Sequence, residues 1–486
     1  MNKISYKTIV LISALLFIVI GCTKDFEEMN YDPNEPTSVP PEYLLTNAEF
    51  RIMDYIWDEW WNGRQGLVYS QYWSQTAYTE ESRFEPRGNI TDAYWGNFYT
   101  NMMDLQEIIR LNTDEDTKGA SAASGPNENQ IAVARIMKAF TFQMMTDIWG
   151  DIPYFDALKS IENTSPSYTK QSEIYPDLLK ELTEAQAMIV AGDINGDIIY
   201  GGDMTKWKKF ANSLRMRIAL RTSKANSNYK AEVEAAIAAG AFDSYEDDAF
   251  LMFDAIAPGY NPLFEAIIVS GRPPDFAVSE PMINALVGLD DPRLPLYADK
   301  AVAFETDPLP YRGLAYGLNA TDAPGIAGPG GDNVSLPSLA TVLAPDAKGW
   351  MMTYGEVCFI KSEIMGWDQA EYIKGIEASM LTWGVDAADV ATYVAAVPAA
   401  SAETVGLQKW LGMYMQGNQG WFEWRRTGQP DLQLPTDGAL GDIGTRNIAS
   451  RMFYPQEEQV VNGTQYAAAV AQQGADQLYT RVWWDK

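Results

Sequence analysis

The chain has 486 residues, with 36 Lys and Arg against 65 Asp and Glu, a formal charge of −29, and no His. Lacking imidazole, it has no Ser-His-Asp or Cys-His relay, no HExxH zinc site and no histidine pH switch, whereas carboxylate chemistry and oxygen-ligand calcium sites stay open. The acidic balance, near pI 4.3, also argues against a nucleic-acid surface, which needs clustered Lys and Arg.

Along the chain, residues 1–21 carry Lys3 and Lys7, then an apolar run from Ile9 to Ile20. That run is too short for a spanning helix of about 20 residues and matches a secretory signal peptide. Gly21-Cys22 resembles a bacterial lipobox, in which Cys22 becomes the acylated first residue, although Val19 and Ile20 depart from the usual Leu and small residue. Cleavage there removes two lysines and no acid, taking the charge from −29 to −31. The acidic segment Thr23-Lys24-Asp25-Phe26-Glu27-Glu28 resembles the signal that sends lipoproteins to the cell surface. With Cys22 lipidated, only Cys358 remains, in an apolar helical context, so no intrachain disulfide is expected.

Residues 22–41, with Pro33, Pro36, Pro40 and Pro41, read as a lipidated flexible tether, and residues 42–486 as one domain. Helical patterning starts at Pro41 and continues over Tyr94 to Leu111, Asn129 to Trp149, Tyr168 to Val190, Lys206 to Thr222, Lys230 to Ala239, Tyr354 to Met365 and Gln369 to Trp383. Trp207, Phe210, Ala211, Leu214 and Ile218 make one apolar stripe, with Asp203 placed to cap that helix. Its six cations, Lys206, Lys208, Lys209, Arg215, Arg217 and Arg221, predict ion pairs with neighbouring helices, a bound phosphate being the alternative. The fold class is mainly α, a tetratricopeptide-like scaffold of helical pairs with a large irregular part at about 241–350. Within it, 13 of the 46 residues from Glu305 to Trp350 are Gly or Pro, which marks a functional or mobile loop.

Five blocks carry a resemblance. They are Asp147-Ile148-Trp149-Gly150-Asp151-Ile152-Pro153-Tyr154, the segment from Tyr200 through Asp203 to Arg217, Asp290-Asp291-Pro292-Arg293-Leu294, Gly355-Glu356-Val357 through Glu363, and the tail from Arg451 to Glu458 ending in Val482-Trp483-Trp484-Asp485. In this order they resemble the SusD/RagB family of outer-membrane nutrient-binding lipoproteins, closest to its second SusD-like subfamily. The resemblance implies a lid on a SusC-like TonB-dependent transporter, an oligosaccharide or peptide ligand, an outer-membrane lipid anchor on the cell surface, and binding rather than catalysis.

Sugar recognition calls for aromatic faces ringed by carboxylates, amides and Arg. The aromatic-rich stretch Trp57 to Trp95 offers Tyr78, Glu80, Arg83 and Phe84 as ligand residues, with Trp60, Tyr72 and Trp95 expected in the core. A second polar-aromatic stretch offers Tyr260, Asn261, Arg272 and Asp275. Asp193-Ile194-Asn195-Gly196-Asp197 has the spacing of a calcium loop but lacks its later Gly and Glu, so a plain Asx turn is preferred and no cofactor is expected. Competing readings are a peptide binder of the same architecture and a His-free glycosidase using two carboxylates.

Overall fold

The computed structural model describes residues 39–272 and 274–486; the expected signal peptide, Cys22 and nearly all of the expected tether lie outside the described residues, as does Pro273. Pro41–Lys486 form one compact unit.

The helices of eight residues or more are α1 (Pro41–Trp57), α2 (Gly88–Thr113), α3 (Asn127–Trp149), α4 (Gln171–Met188), α5 (Met204–Arg221), α6 (Tyr229–Ala238), α7 (Glu280–Gly288), α8 (Tyr354–Ile364), α9 (Gln369–Thr382), α10 (Ala387–Val394), α11 (Ala402–Gly412), α12 (Gly417–Thr427) and α13 (Gly463–Gln473). Helices consecutive in the chain pack against each other from α1 to α6, and again from α8 to α9, which builds the tetratricopeptide-like scaffold. Three two-stranded antiparallel ribbons complete it: β1 (Trp73–Gln75) with β5 (Phe276–Val278), β2 (Ile152–Pro153) with β3 (Tyr168–Thr169), and β4 (Ala249–Met252) with β6 (Lys348–Met352).

The expected caps and stripes explain much of this. Asp203 accepts the N–H groups of Thr205 and Lys206, and Trp207, Phe210, Ala211, Leu214 and Ile218 are fully buried. α3 is interior nearly all round; its Arg135 turns out to Glu181 and Glu184 of α4. One boundary differs. The helix expected from Tyr168 begins at Gln171, because Thr169 pairs with Ile152 and the Asp151 carboxylate accepts the Gln171 N–H at 2.8 Å.

Helices α10 to α12, which patterning did not signal, add Val390, Trp410, Leu411, Trp421 and Phe422 to the buried apolar residues and bring polar contacts with them. α12 is buried along its length despite its Gly, Gln, Glu and Arg residues. A Cβ on Gly417 would fall 2.3 Å from the Gly66 carbonyl carbon, so only glycine lets these backbones approach. Arg425 of α12 is sandwiched against Trp421 and Trp484 at 4.3 and 4.7 Å and donates to the Asp147 carbonyl at 2.6 Å. Arg293 of the Asp-Asp-Pro-Arg block is equally buried, bound to Asp291 at 2.6 Å, Ser379 at 2.9 Å and Gln408 at 2.7 Å. These motifs are architecture.

Three of the six cations of α5 form ion pairs, with separate partners: Lys209 with Asp243 and Asp247, Arg217 with Glu356, and Arg221 with Asp147 and Glu423, while Lys206 donates to the Glu246 carbonyl and Arg215 to the Asn212 side chain. They form no common phosphate cradle. Cys358 is buried in α8, where desolvation pushes its thiol up to about 12.

Asp248 at the start of β4 accepts the Tyr354 N–H at 2.6 Å and the Thr382 hydroxyl at 2.7 Å, tying the ribbon to α8 and α9. Burial raises its carboxyl to about 7. The folded chain therefore holds a proton that the unfolded chain releases near pH 4, and the stability that this adds at low pH is lost as pH rises towards 7. Asn at this position stays neutral. In urea unfolding, Asp248→Asn should gain on the wild type by roughly 2–4 kcal/mol between about pH 4 and pH 8; pH profiles that run parallel would refute the assignment.

Candidate functional site: an aromatic and arginine cluster

At the end of α1, Asp58 accepts the Trp61 N–H at 2.6 Å and starts a π-helical segment, Glu59–Gly66. Wide π turns are frequent at functional sites. Adjacent residues on a helix point about 100° apart, so Trp60 and Trp61 cannot share a face. Trp61 is fully buried, stacked 4.8 Å from Tyr94, whereas Trp60 is 39% exposed. Trp60 therefore does not belong to the core, contrary to the reading from patterning, while Tyr72 and Trp95 do.

Arg64, four residues on, turns back under Trp60. It is 1% exposed, with its guanidinium carbon 4.6 Å from the Trp60 ring, 5.6 Å from Tyr78 and 5.3 Å from Phe276. Its Nη2 donates to Glu59 at 2.8 Å and to Asp275 at 2.6 Å. Arg272 reaches the same Asp275 oxygen at 2.5 Å. Arg87 approaches from the other side, 5.3 Å from the Tyr78 ring and 5.6 Å from Trp60, with Glu81 at 3.3 Å. Two exposed rings thus share two guanidinium neighbours, at the distances of cation–π contacts. Burial raises the Glu81 carboxyl above its ordinary range, against the hydrogen bond from Gln75 and the charge of Arg87.

Backbone pairing brings two distant stretches here. β1 and β5 align Gln75 with Phe276, and the Thr76 N–H donates to the Asp275 carbonyl at 2.9 Å. Tyr78 follows at φ +53°, a turn that leaves its ring 56% exposed. Beyond Arg272 and Phe276 opens a cavity of about 260 Å³, walled by Ile268, Val302, Leu336 and Leu339.

Of the expected ligand residues, Tyr78, Arg272 and Asp275 converge on this cluster, and Glu80 stands at its edge, 3.8 Å from Arg87. Arg83 turns away to the Gly438 carbonyl. Phe84 is fully buried against Tyr69 and Tyr316 and presents no face to a ligand. Asn261 is likewise buried, its side chain occupied by the Leu263 N–H and the Val342 and Ala344 carbonyls. Tyr260 is half-buried, edge-on to Phe264 at 5.1 Å. Arg64 escaped the sequence reading; Arg87 lies in the irregular part of the aromatic-rich stretch that the sequence singles out, and the Trp60-Trp61 tandem was a usable signal for the exposure of Trp60.

The calcium-like spacing resolves as a turn: the Asp197 carboxylate accepts the N–H groups of Ile199, Tyr200 and Gly202 and the Trp207 indole. Among the described residues, no group of three or more acidic or Cys side chains is arranged to hold a metal.

A family model described as SusD-like, starch-binding and associating with the outer membrane, matches residues 33–455. This chain belongs to the SusD-like family. Members of that family bind carbohydrate and are not enzymes. Among solved structures, it is similar to a chitin-binding protein at 27% identity and TM-score 0.79, over 92% of this chain and 99% of that one. It is also similar to a chitin-binding SusD homolog from Flavobacterium johnsoniae, at 22% identity and TM-score 0.76, over 92% and 98%. A SusD homolog from Bacteroides uniformis matches at 23% identity and TM-score 0.76, over 91% and 99%. Among curated proteins no sequence match was found. No helix of the described residues is long and apolar enough to cross a membrane.

Removing Arg64 would leave Glu59 buried and unpaired, and Asp275 with Arg272 as its one remaining cation. Arg64→Met should lower unfolding free energy by about 3–5 kcal/mol, whereas Arg87 is partly exposed and its buried partner Glu81 keeps the Gln75 hydrogen bond, so Arg87→Gln should cost less, about 1–2 kcal/mol. Chemical denaturation of the two variants measures the contrast, and equal costs would show that Arg64 is no anchor.

Proposed function

We propose that this SusD-like protein captures oligosaccharide at the Trp60–Tyr78 cluster on the cell surface and delivers it to a SusC-like TonB-dependent transporter. The observation that carries the proposal is the exposed ring pair held by Arg64 and Arg87. Aromatic faces stack on the C–H surface of a pyranose, while the Arg87 and Arg272 donors and the Glu80 acceptor suit hydroxyls, which both donate and accept. The chitin-binding relative, at 27% identity, supports a glycan ligand. Lipidation at Cys22 and removal of residues 1–21 rest on the lipobox resemblance, and they would anchor the anionic body to the outer membrane through acyl chains.

A peptide is the second reading, favoured by the apolar cavity of about 260 Å³ beside Arg272, which could hold a large side chain.

Calorimetry against chito-oligosaccharides, malto-oligosaccharides and a peptide pool decides between them. Trp60→Ala and Tyr78→Ala should each weaken glycan binding by roughly 10- to 100-fold while leaving the fold intact. Unchanged affinity in both variants would move the site elsewhere. Mild detergent extraction should bring down a large barrel protein with the wild type, and Cys22→Ala should release the chain from the membrane. A chain that stays bound without Cys22 would refute the anchor.

A further inference from the structure

We propose that a second carbohydrate-binding site lies in the cavity between the β4–β6 ribbon, the end of α1 and the C-terminus of α9, and that it takes one or two neutral hexose units. Its ligand class rests on the glycan reading above, but it shares no residue with the Trp60–Tyr78 cluster.

The cavity holds about 440 Å³, against about 260 Å³ for the one beside Arg272. That volume lies inside the usual range for small-molecule sites, roughly 300–1,000 Å³. Strand alternation builds one wall. The register pairs Phe250 with Trp350 and Met252 with Lys348, so these four project from one face, while Leu251 and Met351 point into the core. Trp57, the last residue of α1, and Trp383, the first beyond α9, supply two further indoles. Trp57 and Trp350 are nearly buried and form the floor, whereas Trp383 is half-exposed at the mouth, 6.3 Å from Trp350.

The polar groups are few and held in place. The Lys348 ammonium sits 4.6 Å from the Phe250 ring and 5.1 Å from the Trp350 ring, so rings rather than a carboxylate position it as a donor. Thr382 donates its hydroxyl hydrogen to the Asp248 carboxylate at 2.7 Å, which leaves its oxygen free to accept. Asp346 is exposed on the rim and only accepts. An apolar ligand would strip water from Lys348 without offering it an acceptor, an anion would face Asp346, and a cation would face Lys348. A hexose offers an apolar face to the indoles and hydroxyls that serve donors and acceptors alike.

The test uses the full chain labelled with 5-fluorotryptophan, its resonances assigned by single Trp→Phe variants, and followed by ¹⁹F NMR. N,N′-diacetylchitobiose, maltose and, as a zwitterionic control, trialanine are titrated at millimolar concentration. In the Trp60→Ala/Tyr78→Ala background, at least one disaccharide should shift the Trp350 and Trp383 resonances. Lys348→Ala and Thr382→Val should each weaken that response by about tenfold. If Trp60 of the wild type responds to a disaccharide while Trp350 and Trp383 stay unmoved in the double variant, the second site is refuted and the first stands. If none of the three responds to either disaccharide, both fail. Shifts at Trp350 and Trp383 produced by trialanine alone would overturn the hexose assignment.

Discussion

The arrangement of the candidate site depends on the ion pair between Arg64 and Asp275. A guanidinium at 1% exposure survives only when its charge is paired, and Asp275 and Glu59 do the pairing. Asp275 lies 211 residues beyond Arg64, one position before β5, so the same contact that neutralises Arg64 also seats the β1–β5 ribbon against the π-helical segment. Trp60, Tyr78 and Phe276 then fall around one cation, and an aromatic pair useful to a sugar is a by-product of satisfying a buried charge.

The same logic recurs through the molecule. Arg217, Arg221, Arg293, Arg425, Arg426 and Arg451 are all buried, several stacked on aromatic rings and bonded to carboxylates or carbonyls from distant segments. Guanidinium suits this role because its planar fork satisfies several acceptors at once. Carboxylates are buried along with these cations, so the surface keeps most of the acidic excess behind the formal −29. Such a body is repelled by an anionic leaflet, so in the proposed function the acylated Cys22, and not the protein surface, makes the attachment. The absence of His fits a capture protein, since stacking and hydrogen bonding to hydroxyls require no group that titrates near neutrality.

Helices with a strong apolar period were legible to within a few residues, α5 and its Asp203 cap most clearly. α12 was not, because in Gly-Asn-Gln-Gly-Trp-Phe-Glu-Trp-Arg-Arg the polar residues are buried alongside Trp421, Phe422 and Trp424, made tolerable by ion pairs such as Lys409–Glu423. Half of the candidate site was legible as well. Tyr78, Arg272 and Asp275 stood out as polar and aromatic residues in irregular stretches, but so did Phe84 and Asn261, which pack inside.

By itself, the sequence determined the family, the mainly helical scaffold and the exclusion of imidazole chemistry, since motif order, helical period and composition are properties of neighbours along the chain. Only the tertiary structure decided which aromatic residues meet solvent and which carboxylate meets which arginine. Exposure depends on what distant segments cover: Trp60 and Trp61 are chemically identical and adjacent, yet Tyr94 and Trp149 stack on one while the other stands over Arg64 in the open.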